Sequence, residues 1–297
     1  MNKYFVRRVV ASLVLLGLIA SIGSAIRYGL APEDDAIATE KVAASQVAAK
    51  EVVVKKVAAE PADLFKYPAL AKYLASRTNK VTAGLYDVNT GETFLYRPGE
   101  RHITASLVKI DILAALLYSA KRSDRLLTSS ESRNAAVMIQ QSDNAAATAL
   151  WPKIGYAAGL NAFNAKLGFT QTKAVPSWGM AATTPTDQLK LLKAIVLPDS
   201  LLSPASQKYI QKLMEGVVNW QRFGIPTGVP ATAKVGVKNG WYPVSTTGWQ
   251  VNSAGYVKTD DHFYLAVIMT SHNRNQQYGT NAVNKISQLM WEFQSSR

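Results

Sequence analysis

Cysteine is absent from all 297 residues. Disulfides, thiolate metal sites and a cysteine nucleophile are excluded together. Histidine is scarce, and His102, His262 and His272 lack the spacing of a metal-ligand set. No metal and no cofactor are therefore expected. A Ser-His-Asp hydrolase would show G-x-S-x-G, but Val251-Asn252-Ser253-Ala254-Gly255 lacks the first glycine. No glycine-rich phosphate loop occurs. Acidic residues are few, 20 Asp and Glu against 33 Lys and Arg, which leaves a net charge of +13. The basic residues are scattered, with neither a run nor interleaved aromatics, so a nucleic-acid partner is not expected. The excess suits a solvated surface or a position beside anionic lipid or polymer. One absence is local: from Ala145 to Thr186 there is no Asp or Glu at all.

What is present is ordinary for a globular chain, 48% hydrophobic and 18% charged residues. Lys3, Arg7 and Arg8 precede an apolar run from Val9 to Ile26, closed by Arg27. This reads as a signal-anchor or signal peptide over residues 1–30, with the basic flank in the cytoplasm and the rest outside. Residues 31–63, rich in Ala, Val, Lys and Glu and bracketed by Pro32 and Pro61, read as a spacer. The globular domain is expected over 64–297, as a monomer.

Within that domain a short helix is expected at Pro68–Arg77. Two strands follow, Val81–Val88 and Thr93–Arg97, joined at Asn89-Thr90-Gly91. Ser106–Ala120 is apolar on nearly every side, the mark of a buried helix. Helical patterns continue over Glu131–Gln140, Ala145–Trp151, Ala157–Leu167 and Gln188–Ile195. Strand patterns return at Ala233–Trp241, Trp249–Lys258 and His262–Thr270, before a last helix at Asn281–Phe293. Strands at both ends with helices between them predict an α+β fold. One antiparallel sheet is built from both ends of the domain, flanked by helices, with an all-helical insertion.

Three short motifs bear on chemistry. Ser106-Leu107-Val108-Lys109 is the only S-x-x-K in the chain, and on a helix it places both side chains on one face. Ser106 would sit where free backbone N–H groups favour a developing oxyanion. Lys109, in an apolar helix, would have its pKa lowered by burial and could act as a neutral base. The plainer reading is a Ser cap with a lysine reaching solvent. Ser142-Asp143-Asn144 reads either as a helix cap or as a loop offering a hydroxyl and an amide to the first site. Lys238-Asn239-Gly240 lies in a strand pattern, where Gly240 would leave the Trp241 N–H open to a substrate carbonyl. Its plainer reading is an exposed lysine before a turn glycine.

Their order, S-x-x-K, S-D-N and K-x-G, resembles that of the penicillin-binding-protein and serine β-lactamase superfamily, with the nearest likeness to class A β-lactamases. The likeness runs from about Pro68 to the C-terminus and includes Thr183-Thr184-Pro185 at a helix start. It implies a β-lactamase/transpeptidase-like fold and an acyl-enzyme on Ser106, with Lys109 as base and Ser142 as the proton shuttle to the leaving nitrogen. It further implies that Asn144, Lys238, Asn239 and Gly240 bind substrate, and that the Ser106 and Trp241 N–H groups form the oxyanion hole. Lys234-Val235-Gly236 is a rival for the third motif. The implied substrate is a β-lactam or a peptidoglycan-type amide, and alternatives are a D-Ala-type peptidase or a binding module that recognises wall fragments. Two departures stand out. Asn239 replaces the usual Thr or Ser, and the segment Ala174–Ala182 carries no omega-loop glutamate to activate a deacylating water.

Overall fold

The computed structural model describes residues 63–297. The anchor and the spacer expected before them lie outside the described residues. Among the described residues no helix is long and apolar enough to cross a membrane.

Local chemistry sets most element boundaries. Helix α1 (Pro68–Ala75) starts with proline at its first position, where a missing N–H is harmless. Strands β1 (Lys80–Asp87) and β2 (Thr93–Tyr96) form a hairpin. At its tip the Asp87 carboxylate accepts from the Asn89 and Thr90 N–H groups, and Gly91 takes φ 77°. After the short β3 (His102–Ile103) come a 3-10 turn, Ala105–Val108, and helix α2 (Lys109–Arg122). Ten residues of α2 are buried, Lys109 and Asp111 included, as expected for a helix enclosed on all sides. Helix α3 (Ser129–Gln140) opens with a reciprocal Thr128–Glu131 capping box. Helices α4 (Asn144–Leu150) and α5 (Tyr156–Lys166) complete the insertion.

The short β4 (Ala182–Thr183) pairs with β3 and leads into α6 (Pro185–Val196), capped by Thr184. Helix α7 (Pro204–Glu215), which the sequence reading did not anticipate, buries Ile210, Leu213 and Met214 behind a Ser203 cap. Strands β5 (Lys234–Val244), β6 (Gly248–Lys258) and β7 (Phe263–Asn273) and helix α8 (Gln276–Ser295) follow.

The main sheet has the order β2-β1-β7-β6-β5, antiparallel throughout, so strands from both ends of the domain interleave as expected. A Cβ on Gly84 of β1 would strike Leu189 and Pro185 of α6, whereas one on Gly279 of α8 would strike Val251 of β6. The Asn252 side chain, next to Val251 and so on the opposite face, reaches the Ile103 and Thr104 carbonyls. Helices thus cover both faces, which explains why β6 and β7 are buried almost continuously instead of alternating. Strand β5 is an edge, so its outer backbone groups lack ladder partners.

Candidate active site

The 3-10 turn bearing Ser106 is fixed from three sides. Thr104 N–H donates to the Ala181 carbonyl at 2.8 Å, and Asn252 Nδ2 donates to the Ile103 and Thr104 carbonyls at 2.9 and 3.2 Å. From the third side β5 presses against the turn at Gly240. A Cβ there would come within 2.6 Å of Leu107 N and the Thr104 oxygen and 2.8 Å of Ser106 N. Only glycine lets the strand approach the backbone of Ser106 so closely. Ala105, just before the serine, is held at φ 48°, a left-handed conformation that costs energy for a residue with a Cβ and is found where surroundings over-determine the backbone.

Lys109, one turn along from Ser106, is fully buried. Its Nζ donates to the Ser142 carbonyl at 2.5 Å, to Ser142 Oγ at 3.3 Å and to Asn144 Oδ1 at 2.8 Å. Lys238, also fully buried, donates to the same Ser142 Oγ at 2.9 Å and to the Asn239 carbonyl at 2.7 Å. Two lysines therefore converge on one hydroxyl. Among the described residues neither has a salt-bridge partner. Burial pushes the Lys109 ammonium down to about 8, against a weaker opposing pull from Asp143. Burial, reinforced by the nearby Lys109 charge, holds Lys238 well below the ordinary lysine range. Two cations crowded in a dry site favour either loss of a proton or the arrival of an anion.

Ser142-Asp143-Asn144 serves both readings. Asp143 caps α4, accepting from Ala146 N–H at 2.6 Å, while Ser142, at φ 58°, and Asn144 turn toward the lysines. Of the rival third motifs, Lys238 reaches the site. Lys234 is exposed and pairs with Glu215 at 3.3 Å. Asn239 departs from the sequence expectation of a substrate-binding amide. Strand alternation turns it away from Lys238, and its Nδ2 is spent on the Gln221 and Phe223 carbonyls at 2.6 and 2.9 Å.

A cavity of about 280 Å³ opens over Ser106, bounded by Asn144, Trp178, Gly179, Trp241 and Tyr242. A larger depression of about 520 Å³ near Lys258, His262 and Trp291 contains no activated nucleophile, so chemistry rather than size selects the site. The loop side of the Ser106 cavity carries no acid. Asp187, the nearest acid after the acid-free stretch, is wholly buried. It accepts from Thr170 N, Gln171 N, Thr172 Oγ1 and Lys190 Nζ, and so clamps the loop instead of facing the cavity. Trp178 was legible in the sequence only as a residue of the acid-free segment Ala174–Ala182, and Tyr242, which belongs to no motif, was not legible at all. Among the described residues no cluster of His, Asp and Glu could hold a metal ion.

This fold is that of class A β-lactamases and their penicillin-binding relatives. The structure superposes on PBP-A with a TM-score of 0.68 at 19% identity, covering 80% of this chain and 99% of that one. An ancestral (GNCA) class A β-lactamase matches at a TM-score of 0.65 and 20% identity, over 78% of this chain and 100% of its own. In sequence, the carbapenem-hydrolyzing β-lactamase KPC of Klebsiella oxytoca is 25% identical over 251 residues, 70% of this chain and 83% of that protein. The β-lactamase enzyme family model matches residues 130–294, more than half of the chain. The chain belongs to that family and is a β-lactamase-like serine hydrolase.

Proposed function

We propose that this protein forms an acyl-enzyme through Ser106 with β-lactams or related peptidoglycan-type amides, and that it loses the acyl group slowly. The reading is carried by Lys109, buried one helical turn from Ser106 with its pKa brought down to about 8. At neutral pH roughly one molecule in ten then holds a neutral amine ready to accept a proton. The amine takes the Ser106 proton as Oγ attacks the carbonyl carbon. The developing oxyanion is met by the Ser106 and Trp241 N–H groups. The C–N bond then breaks, Ser142 gives its proton to the leaving nitrogen, and Lys109 or Lys238 restores it. What remains is an ester on Ser106. Asn144 and Lys238 bind the substrate's amide and carboxylate.

Hydrolysis of that ester needs a base for water, and the loop wall of the cavity offers Ser177, Trp178, Gly179 and Met180. This wall favours a second reading, a penicillin-binding wall peptidase for which a β-lactam is an inhibitor. One neighbour is a PBP-A mutant whose structure is an acyl-enzyme complex with penicillin G. The same proposal puts the domain outside the membrane, tethered by the Val9–Ile26 run or released from it, because basic residues precede that apolar run. Protease added to intact cells should trim the domain, and full protection with the protein in the cytosol would contradict that placement.

The deciding experiment is intact-mass analysis of the protein mixed with penicillin G and followed over time. A lasting adduct, absent in Ser106→Ala, is expected. No adduct at all would leave a binding module of the same fold.

A further inference from the structure

Lys109 Nζ lies 5.0 Å from the centroid of the Trp178 ring. That ring is itself held: its Nε1 donates to Thr148 Oγ1 at 3.3 Å, and its body packs on the hydrophobic core. Thr148 stands one turn beyond Asn144 on α4, so a single helix face fixes both an acceptor of the ammonium and the ring beside it. The charged groups facing Lys109 are Lys238 from β5 and Asp143 from the start of α4; the 3-10 turn Trp178–Met180 contributes none.

We propose that Trp178 is a positioning residue for the Ser106 reaction, holding the Lys109 ammonium by the face of its indole and closing the loop side of the cavity to water. The proposal rests on reading Lys109 as the proton acceptor of Ser106. An indole face attracts a cation through its quadrupole, but it takes no proton and orients no nucleophilic water. A carboxylate in its place would do all three. The ring thus steadies the charged lysine between turnovers without providing a hydrolytic base. It opposes the effect of burial, which drives the same ammonium toward its neutral form.

The test changes the electron density of the ring and leaves its shape. Mono-, di- and trifluorinated tryptophan are placed at position 178 of the full-length protein. The Lys109 titration is followed by NMR of ¹³Cε-labelled lysine, assigned with Lys109→Arg. Each fluorine weakens the quadrupole, so the midpoint should fall stepwise from near 8, by about half to one pH unit across the series. The pH midpoint of penicillin acylation should move with it. A Lys109 midpoint that stays constant or rises across the series would overturn the assignment. If the titration shifts while no penicillin adduct forms, the ring–lysine contact stands and the reading of Ser106 as nucleophile falls instead.

Discussion

On one side of the Ser106 cavity, α2, α4 and β5 bring two buried lysines onto a single hydroxyl, and their five hydrogen bonds all go to oxygens of Ser142, Asn144 and Asn239. On the other side, residues 177–180 present a serine hydroxyl, an indole, a glycine and a methionine, and Asp187, the first acid after that loop, is turned inward to clamp it. In the proposed reaction the first side moves protons between a serine and a leaving nitrogen. The second has nothing that can take a proton from water. On the proposed reading, one cavity combines the machinery for acylation with a wall that withholds the machinery for hydrolysis.

Substitutions on the two sides should separate these halves. The largest effect is expected for Ser106→Ala, which removes the nucleophile and with it any labelling by a fluorescent penicillin. Next is Lys109→Ala. A positioned proton-transfer group contributes about 10²–10⁴-fold, so stopped-flow acylation should slow by that order. If this variant acylates normally, the base lies elsewhere. Gly240→Ala would drive a methyl group into the backbone of the nucleophile's turn. Misplacing a reacting group by an ångström costs about 10²-fold, and the loss should appear in acylation with the fold intact by circular dichroism.

From the opposite wall, Trp178→Glu puts a carboxylate beside Lys109. The lifetime of the penicillin adduct, read by intact mass, should shorten by up to about 10²-fold, the lower end of what a general base supplies. An unchanged lifetime would mean that missing acid is not what slows deacylation. The smallest effect concerns pH. With the neutral amine of Lys109 as the proposed proton acceptor, acylation should climb about tenfold per pH unit below its midpoint of about 8 and level off above it. A flat profile between pH 6 and 8 would remove Lys109 from the role.

How far this could be read from sequence differs between the same two walls. Ser106, on the 3-10 turn, and Lys109, at the first position of α2, are three residues apart, so local chain geometry alone makes them neighbours, although the single helix expected over Ser106–Ala120 begins only at Lys109. Ser142 lies 33 residues from Lys109 and Lys238 lies 96 from Ser142. No local rule joins them, and resemblance to a family supplied that link. Strand alternation already implied that Lys238 and Asn239 point to opposite faces, and the amide of Asn239 does turn away, into the Gln221 and Phe223 carbonyls. The loop wall was legible only as an absence of acid. That Trp178 stands over the lysine depends on Thr148, the Asp187 clamp and the packing of α4, none of which leaves a periodic trace. Helix α7 was not expected, although Ser203-Pro204 is a good helix start and Ile210, Leu213 and Met214 follow at helical spacing.

The contrast between the walls is tested most directly by rapid mixing of the protein with a chromogenic cephalosporin. The expected trace is a burst of product equal in amplitude to the enzyme, followed by turnover well below the median enzyme rate of about 10 per second. Hydrolysis at roughly tens per second, with no burst and no trapped adduct, would mean that a base for water exists in the cavity and would contradict the division of the site.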